Sequence, residues 1–143
     1  YAASDSDTLY LKGEVAETTE INITEKAAAT TLDIVNGESD LSVATADEFS
    51  NSLNGYEIKM YSNNAGELQN SSDNSIKTSY QIKYGANSYM TPGTSSSPTT
   101  ILSEAGTGSA ISKTRDIQVN VSAFPGAVVG NYEDTVTFVI ESL

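Results

Sequence analysis

Apolar and polar side chains alternate with a period of two along much of this chain of 143 residues. In the longest clear example, Ile117, Val119 and Val121 alternate with polar residues. Similar alternation occurs at residues 9–15, 21–23, 56–60, 80–84 and 136–140. Successive side chains of a β-strand point to opposite faces, so the pattern indicates strands with one face on a core and one toward water. It therefore predicts an all-β fold.

Turn-forming residues separate these segments. Asn36-Gly37 and Asn54-Gly55 are pairs typical of tight hairpin turns, and residues 63–66 and 85–100 are rich in turn and loop residues. The one segment with helical composition, residues 25–30, is too short for a stable helix, so we expect a loop or a single turn there. Seven or eight short strands in one domain predict a β-sandwich of immunoglobulin-like type.

The composition argues against several classes of function. The net charge is −12 and Arg115 is the single arginine, so we expect no nucleic-acid partner and no attraction to anionic lipid. The chain contains neither His nor Cys, which removes the commonest general base, thiol nucleophiles and thiolate metal sites. No apolar run of about 18 residues is present, so we expect no membrane insertion.

No motif for catalysis or metal binding occurs. Asp5 and Asp7 lie two residues apart and Asp47 adjoins Glu48, but such proximity is expected by chance among 19 acidic residues. No calcium loop, nucleophile elbow or phosphate loop is present. We therefore expect no enzymatic activity, no cofactor and no metal. Because the chain begins with Tyr1 rather than Met, we expect the mature form of an exported protein, with an engineered boundary as the alternative.

Both ends of the chain carry alternating segments, and these resemble a known family. Residues 130–140, Gly-Asn-Tyr-Glu-Asp-Thr-Val-Thr-Phe-Val-Ile, are similar to the closing motif of chaperone–usher pathway pilins, in particular the spore coat protein U-like branch. Gly130 is fourteenth from the end, where such pilins usually carry a glycine. Residues 9–15 resemble a pilin donor strand. The chain departs from the family in having Ser142 in place of an aromatic residue and in lacking cysteine.

The resemblance implies an immunoglobulin-like pilin domain at residues 18–143 that lacks one strand, preceded by a donor-strand extension at residues 1–17. The implied donor residues are Leu9, Leu11, Gly13 and Val15. The implied acceptor groove has Val136, Phe138 and Ile140 on one wall. The other wall comes either from the strand with Ile117, Val119 and Val121 or from the strand with Ile21 and Ile23.

The resemblance also implies partners and a location. Identical subunits would join head to tail in a filament on the cell surface, and a periplasmic chaperone and an outer-membrane usher would assist assembly. Two alternatives stay open from the residues alone. The chain could be a monomeric secreted binding module, with its N-terminal strand folded back and Tyr56, Tyr80 or Tyr89 lining a sugar site, or a subunit of another extracellular fibre.

Overall fold

The computed structural model describes residues 2–143, and within this range the chain forms nine β-strands and one short 3₁₀ helix, Ala27–Thr30. The strands are β1 (Thr19–Glu25), β2 (Glu38–Ser50), β3 (Gly55–Ser62), β4 (Glu67–Asn70), β5 (Lys77–Tyr84), β6 (Thr99–Ala105), β7 (Ile111–Val121), β8 (Tyr132–Glu133) and β9 (Val136–Ser142). The prediction of an all-β fold is confirmed. No helix in residues 2–143 has the length and apolar character needed to cross a membrane.

The strands form two antiparallel sheets. The larger sheet has the order β1-β2-β7-β5-β4-β8, and the smaller has the order β6-β3-β9. The buried side chains of both sheets form one continuous hydrophobic core, so the sheets are the two layers of a sandwich. Strand β7 lies at the centre of the larger sheet, between β2 and β5.

The core follows from the alternation in the sequence. On β7, Ile117, Val119 and Val121 are buried, and on β3 the buried residues include Ile58 and Met60. Their polar neighbours point outward, as the period of two predicts.

Strand β2 was not evident from the sequence, and a β-bulge is the reason. The pairing of β2 with β7 shifts register between Ser42 and Ala44, so Val43 and Ala44 are both buried although they are adjacent. The bulge interrupts the alternation by which strands are recognised. Strands β4 and β6 were missed as well, because their apolar residues are too few to show a period.

The prediction of a hairpin turn at Asn54-Gly55 is wrong. The turn joins β2 to β3, and these strands belong to different sheets. Only the glycine half of the pair has the expected backbone: Gly55 has φ +90° and a Cβ there would overlap the carbonyl oxygen of Glu104, whereas Asn54 has no positive φ. A glycine turn sets the local chain direction, but the faces available for burial decide which strands pair.

The N-terminal alternating segment forms no strand. Residues 2–17 take part in no ladder with either sheet, whereas the sequence predicted a strand at 8–16. A β-strand needs a partner for its backbone hydrogen bonds, and alternation alone supplies none.

Candidate functional site: an open groove and an extended arm

Residues 2–17, which we call the arm, are exposed to solvent along their whole length. Leu11 is 79% exposed, and Leu9 and Val15 are exposed to a similar degree. No atom lies within 4 Å of the position that a Cβ on Gly13 would occupy. The four residues predicted as a donor strand therefore lie on a solvent-exposed segment, and its base adjoins its own domain at a shallow depression that Val15 shares with Leu53 and Leu143.

Asn51 holds the base of the arm. Its side-chain oxygen accepts a hydrogen bond of 2.7 Å from the backbone N–H of Thr18, and its side-chain nitrogen donates one of 2.9 Å to the carbonyl of Ala16. Its backbone N–H donates to the carbonyl of Thr18 at 3.1 Å. These three bonds set the direction in which the arm leaves the sandwich.

Strands β1 and β9 each carry a free edge on the same side of the sandwich. Within the described chain, β9 pairs only with β3 and β1 pairs only with β2. The two strands lie beside each other, yet no ladder joins them. Each free edge leaves backbone N–H and C=O groups available to a further strand.

Beside the start of β9 the core is open to solvent, in what we call the groove, whose lining contains no residue of β1 and one residue of β9, Val136. The groove has a volume of about 560 Å³. Its floor comes from the larger sheet and includes Leu68, Ile82 and Val119. Leu32 and Ile34, from the segment after β1, and Val136 at the start of β9 line its sides. The lining is thus mainly apolar near the floor.

The structure separates the residues predicted for the groove into three groups. Val136, Phe138 and Ile140 are half-buried along β9 and pack on the core, but of the three only Val136 lines the groove. Val119 belongs to the floor. Ile117 and Val121 are buried in the central strand β7, which has neighbours on both sides, so that strand forms no wall.

Strand β1 lies next to β9 but does not line the groove. Ile21 is half-buried against the core, while Ile23 is exposed on the same strand. Leu32 and Ile34, from the segment after β1, line the groove instead of the two predicted isoleucines. Sequence reasoning missed Leu32 and Ile34, although the triplet Leu-Asp-Ile at 32–34 does alternate.

The Tyr-x-Asp-Thr part of the C-terminal motif fixes the conformation of the segment that precedes β9. Asp134 accepts hydrogen bonds from the backbone N–H of Asn64 at 3.0 Å and of Thr135 at 2.8 Å through one oxygen. Its other oxygen accepts the hydroxyl of Tyr80 at 2.6 Å. Burial and the bond to Asp134 raise the pKa of Tyr80. These bonds tie the segment before β9 to β5 and to the β3–β4 turn.

The pair Asp47-Glu48 is not an acid–base pair, because the two side chains point to opposite faces. Asp47 is exposed and accepts a hydrogen bond from Thr114. Glu48 is 1% exposed and accepts hydrogen bonds from the hydroxyls of Tyr56, at 2.6 Å, and Tyr84. Arg115 donates to it through Nε at 2.7 Å. The network is a polar contact within the core.

The tyrosines do not form an exposed row for a sugar. Tyr56 and Tyr80 are buried, and the hydroxyl of Tyr89 is bonded to Asp40 at 2.6 Å. Burial first, and then the hydrogen bond to Glu48, raise the pKa of both Tyr56 and Tyr84. These side chains are part of the core and its polar network.

Among residues 2–143, no group of three or more acidic side chains is arranged to hold a metal ion. Comparison with protein-family models gives no match, and comparison with curated proteins finds none similar in sequence. The candidate site is therefore defined by its geometry: a partly apolar groove beside the start of β9, the free edges of β1 and β9, and an alternating arm outside the groove.

Proposed function

We propose that this chain is a structural subunit of an extracellular pilus, with an immunoglobulin-like pilin domain completed by the donor strand of a neighbouring subunit. One observation carries the proposal. The same chain has a core that is open to solvent beside the start of β9, a strand with a free edge, and an extended, alternating apolar arm whose side chains are exposed. The arm can supply apolar side chains for the groove and a backbone that pairs with the free edge of β9.

The dimensions of the two parts agree. The donor segment 9–15 has seven residues, and β9 also has seven. At about 3.3 Å per residue each spans roughly 23 Å. An arm placed along β9 would therefore pair with the whole free edge, and its apolar face would point toward the floor of the groove.

The energetics favour strand addition. Burying Leu9, Leu11 and Val15 contributes about 1.5–3 kcal/mol for each side chain. The backbone of the arm also pairs with the free edge of β9, as in other cases of β-strand addition. Because the donor and acceptor surfaces are different parts of the chain, the contact is heterologous and generates an open filament.

Assembly partners follow from the same geometry. A groove lined by apolar side chains beside free strand edges is an aggregation hazard before the arm arrives. A periplasmic chaperone that covers the groove, and an outer-membrane usher that exchanges the chaperone for the next subunit, would meet this need. The exposed arm argues against the monomeric binding module, which requires the arm on its own sheet.

The test is negative-stain electron microscopy of the purified protein and of two matched variants. Leu11→Asp places a charge on the apolar face of the arm, and Tyr10→Asp places the same charge on the opposite face one residue away. Both side chains are exposed in the free arm, so neither change should alter the stability of the subunit. We expect filaments from the wild type and Tyr10→Asp, and none from Leu11→Asp.

Uniform single particles from all three proteins would overturn the proposal. Equal filament formation by Leu11→Asp and the wild type would also do so, because it would show that the apolar face of the arm is not buried in the junction.

A further inference from the structure

The sandwich has two distinct ends, which the register of the strands defines. At the arm end lie the start of β1 and the end of β9, because Thr19 pairs with Ser50 and Ser142 pairs with Tyr56. At the opposite end, which we call the rim end, lie the end of β7 and the start of β9. The groove opens near the rim end, where Val136 lines it.

Each end carries exposed apolar side chains. At the arm end, Leu53 is 83% exposed in the turn that follows β2, and it lies in one shallow depression with Val15 and Leu143. At the rim end, Val129 is 97% exposed, and its chain neighbour Val128 and Val35, which lies shortly before β2, are also exposed. Outside the arm, the large exposed apolar side chains lie at these two ends, apart from Ile23 on the β1 edge.

The rim patch, consisting of Val35, Val128 and Val129, is held in place by the fold. Asn70 donates a hydrogen bond of 3.2 Å to the carbonyl of Val129, and the hydroxyl of Tyr132 donates one of 2.9 Å to the carbonyl of Val128. The patch adjoins residues that line the groove, since Ile34 precedes Val35 and Gly130 follows Val129. It therefore surrounds the place where an inserted arm would leave the groove.

We propose that Leu53 of one subunit packs against the rim patch of the next, as a second contact at each junction between copies of this chain. This inference rests on the proposed function. An arm that runs antiparallel to β9 leaves the groove at the rim end, because β9 begins there. Only residues 16–18 separate the donor segment from β1, a span of about 10 Å, so the arm end of the donor meets the rim end of the acceptor.

The opposite direction has a different consequence. An arm parallel to β9 would leave at the arm end, bring two arm ends together and permit a reciprocal, closed dimer. The rim patch would then face solvent. The antiparallel direction covers both patches at once, and apolar burial also offsets the repulsion between subunits of net charge −12.

Site-directed crosslinking tests the inference, because the chain has no cysteine of its own. Subunits carrying both Leu53→Cys and Val129→Cys are assembled and treated with a short bismaleimide. We expect a ladder of covalent oligomers on a denaturing gel. The matched control is Ala86→Cys with Val129→Cys, since Ala86 is exposed in a turn on the flank of the sandwich, and it should give no ladder.

A second pair reports on the arm itself. Val15→Cys subunits mixed with Val136→Cys subunits should crosslink to dimers if the arm runs antiparallel to β9. If Leu9→Cys crosslinks to Val136→Cys instead, or Leu53→Cys alone gives a dimer, the arm runs the other way and the inference fails. If the Val15–Val136 crosslink forms without a Leu53–Val129 ladder, the end contact fails while the proposed function stands. If no arm-to-groove crosslink forms, the proposed function fails, and the end contact fails with it.

Charge variants give the energetic measure of the contact. We expect Leu53→Asp to raise the subunit concentration needed for assembly about tenfold or more. Combining Leu53→Asp with Val129→Lys should restore assembly, because each heterologous junction would then pair one acidic with one basic side chain. Failure of this rescue, with the Leu53→Asp defect present, would place the two side chains apart and refute the contact.

Discussion

Replacement of Glu48 by alanine should destabilise the subunit more than replacement of an exposed side chain of similar size by alanine. Glu48 extends from β2 of the larger sheet into the core and accepts the hydroxyl of Tyr56, which lies on β3 of the smaller sheet. It also accepts bonds from Tyr84 and Arg115. Arg115 in turn donates to Glu104 on β6 at 2.6 Å, so the network joins the two sheets in a chain without disulfides.

The magnitude follows from what Glu48→Ala leaves behind. Two buried tyrosine hydroxyls lose their acceptor, at about 1–3 kcal/mol each. Arg115 keeps Glu104 as a partner, which limits the cost of breaking the buried pair. We therefore expect the free energy of unfolding to fall by about 3–5 kcal/mol. Glu48→Gln keeps the shape and part of the hydrogen bonding, and should cost less, about 1.5–3 kcal/mol.

Urea unfolding followed by tyrosine fluorescence measures these changes, with an unchanged slope as the check that the unfolded state is the same. Asp47→Ala is the matched control, since Asp47 adjoins Glu48 but points to solvent, and it should change stability by no more than about 0.5 kcal/mol. A loss below about 1 kcal/mol for Glu48→Ala would refute the argument that the network connects the sheets energetically.

Three further outcomes are expected. Hydrogen bonds from Lys113 and Arg115 lower the pKa of Glu104 below its ordinary 4.5. The ionised carboxylate therefore stabilises the fold above about pH 4.5, and this contribution is lost on acidification. Glu104→Gln should flatten the acid side of a profile of unfolding free energy against pH. Burial raises the pKa values of Tyr56, Tyr80 and Tyr84, so an ultraviolet titration of the folded protein should show that these three ionise later than free tyrosine. Because they ionise more readily in the unfolded chain, the free energy of unfolding should fall as the pH rises beyond about 10. Gly130→Ala should cost about 1–3 kcal/mol in unfolding free energy, because Gly130 has φ +140° and its Cβ would lie 2.5 Å from the side-chain nitrogen of Asn70. Gly126→Ala should be close to neutral by the same assay, because its Cβ would make only an ordinary contact of 3.9 Å with the ring of Phe124.

Comparison of the sequence with the structure shows which features were locally encoded. The alternation predicted the inward faces of β3, β5 and β7, and the short 25–30 segment does contain a single 3₁₀ turn. It also predicted a strand at 8–16 that the subunit does not form. The alternation of these residues is typical of a strand, but a strand forms only where the edge of another strand is available for backbone hydrogen bonds.

The site was only partly predictable for the same reason. Val136, Phe138 and Ile140 were assigned to a groove wall only through the resemblance to the pilin closing motif, and of the three Val136 lines the groove. Leu32, Leu68 and Ile82 could not be assigned, because their place in the groove depends on pairings between strands that are distant in sequence, such as β5 with β7 and β4 with β8. Glu48 was weighed as a surface carboxylate, since nothing in its neighbours along the chain reveals the tyrosines around it.

The sequence by itself determined the all-β class, the identity of most inward-facing residues and the absence of histidine and thiol chemistry, because side-chain periodicity and composition are local properties. Only the tertiary structure decided that the Asn54-Gly55 turn crosses between sheets, that β1 and β9 have free edges, that the core is open beside the start of β9, and that the arm lies outside this groove. Pairing between strands depends on contacts distant in sequence, and the free energy of burying shared faces selects among pairings that the local pattern allows equally.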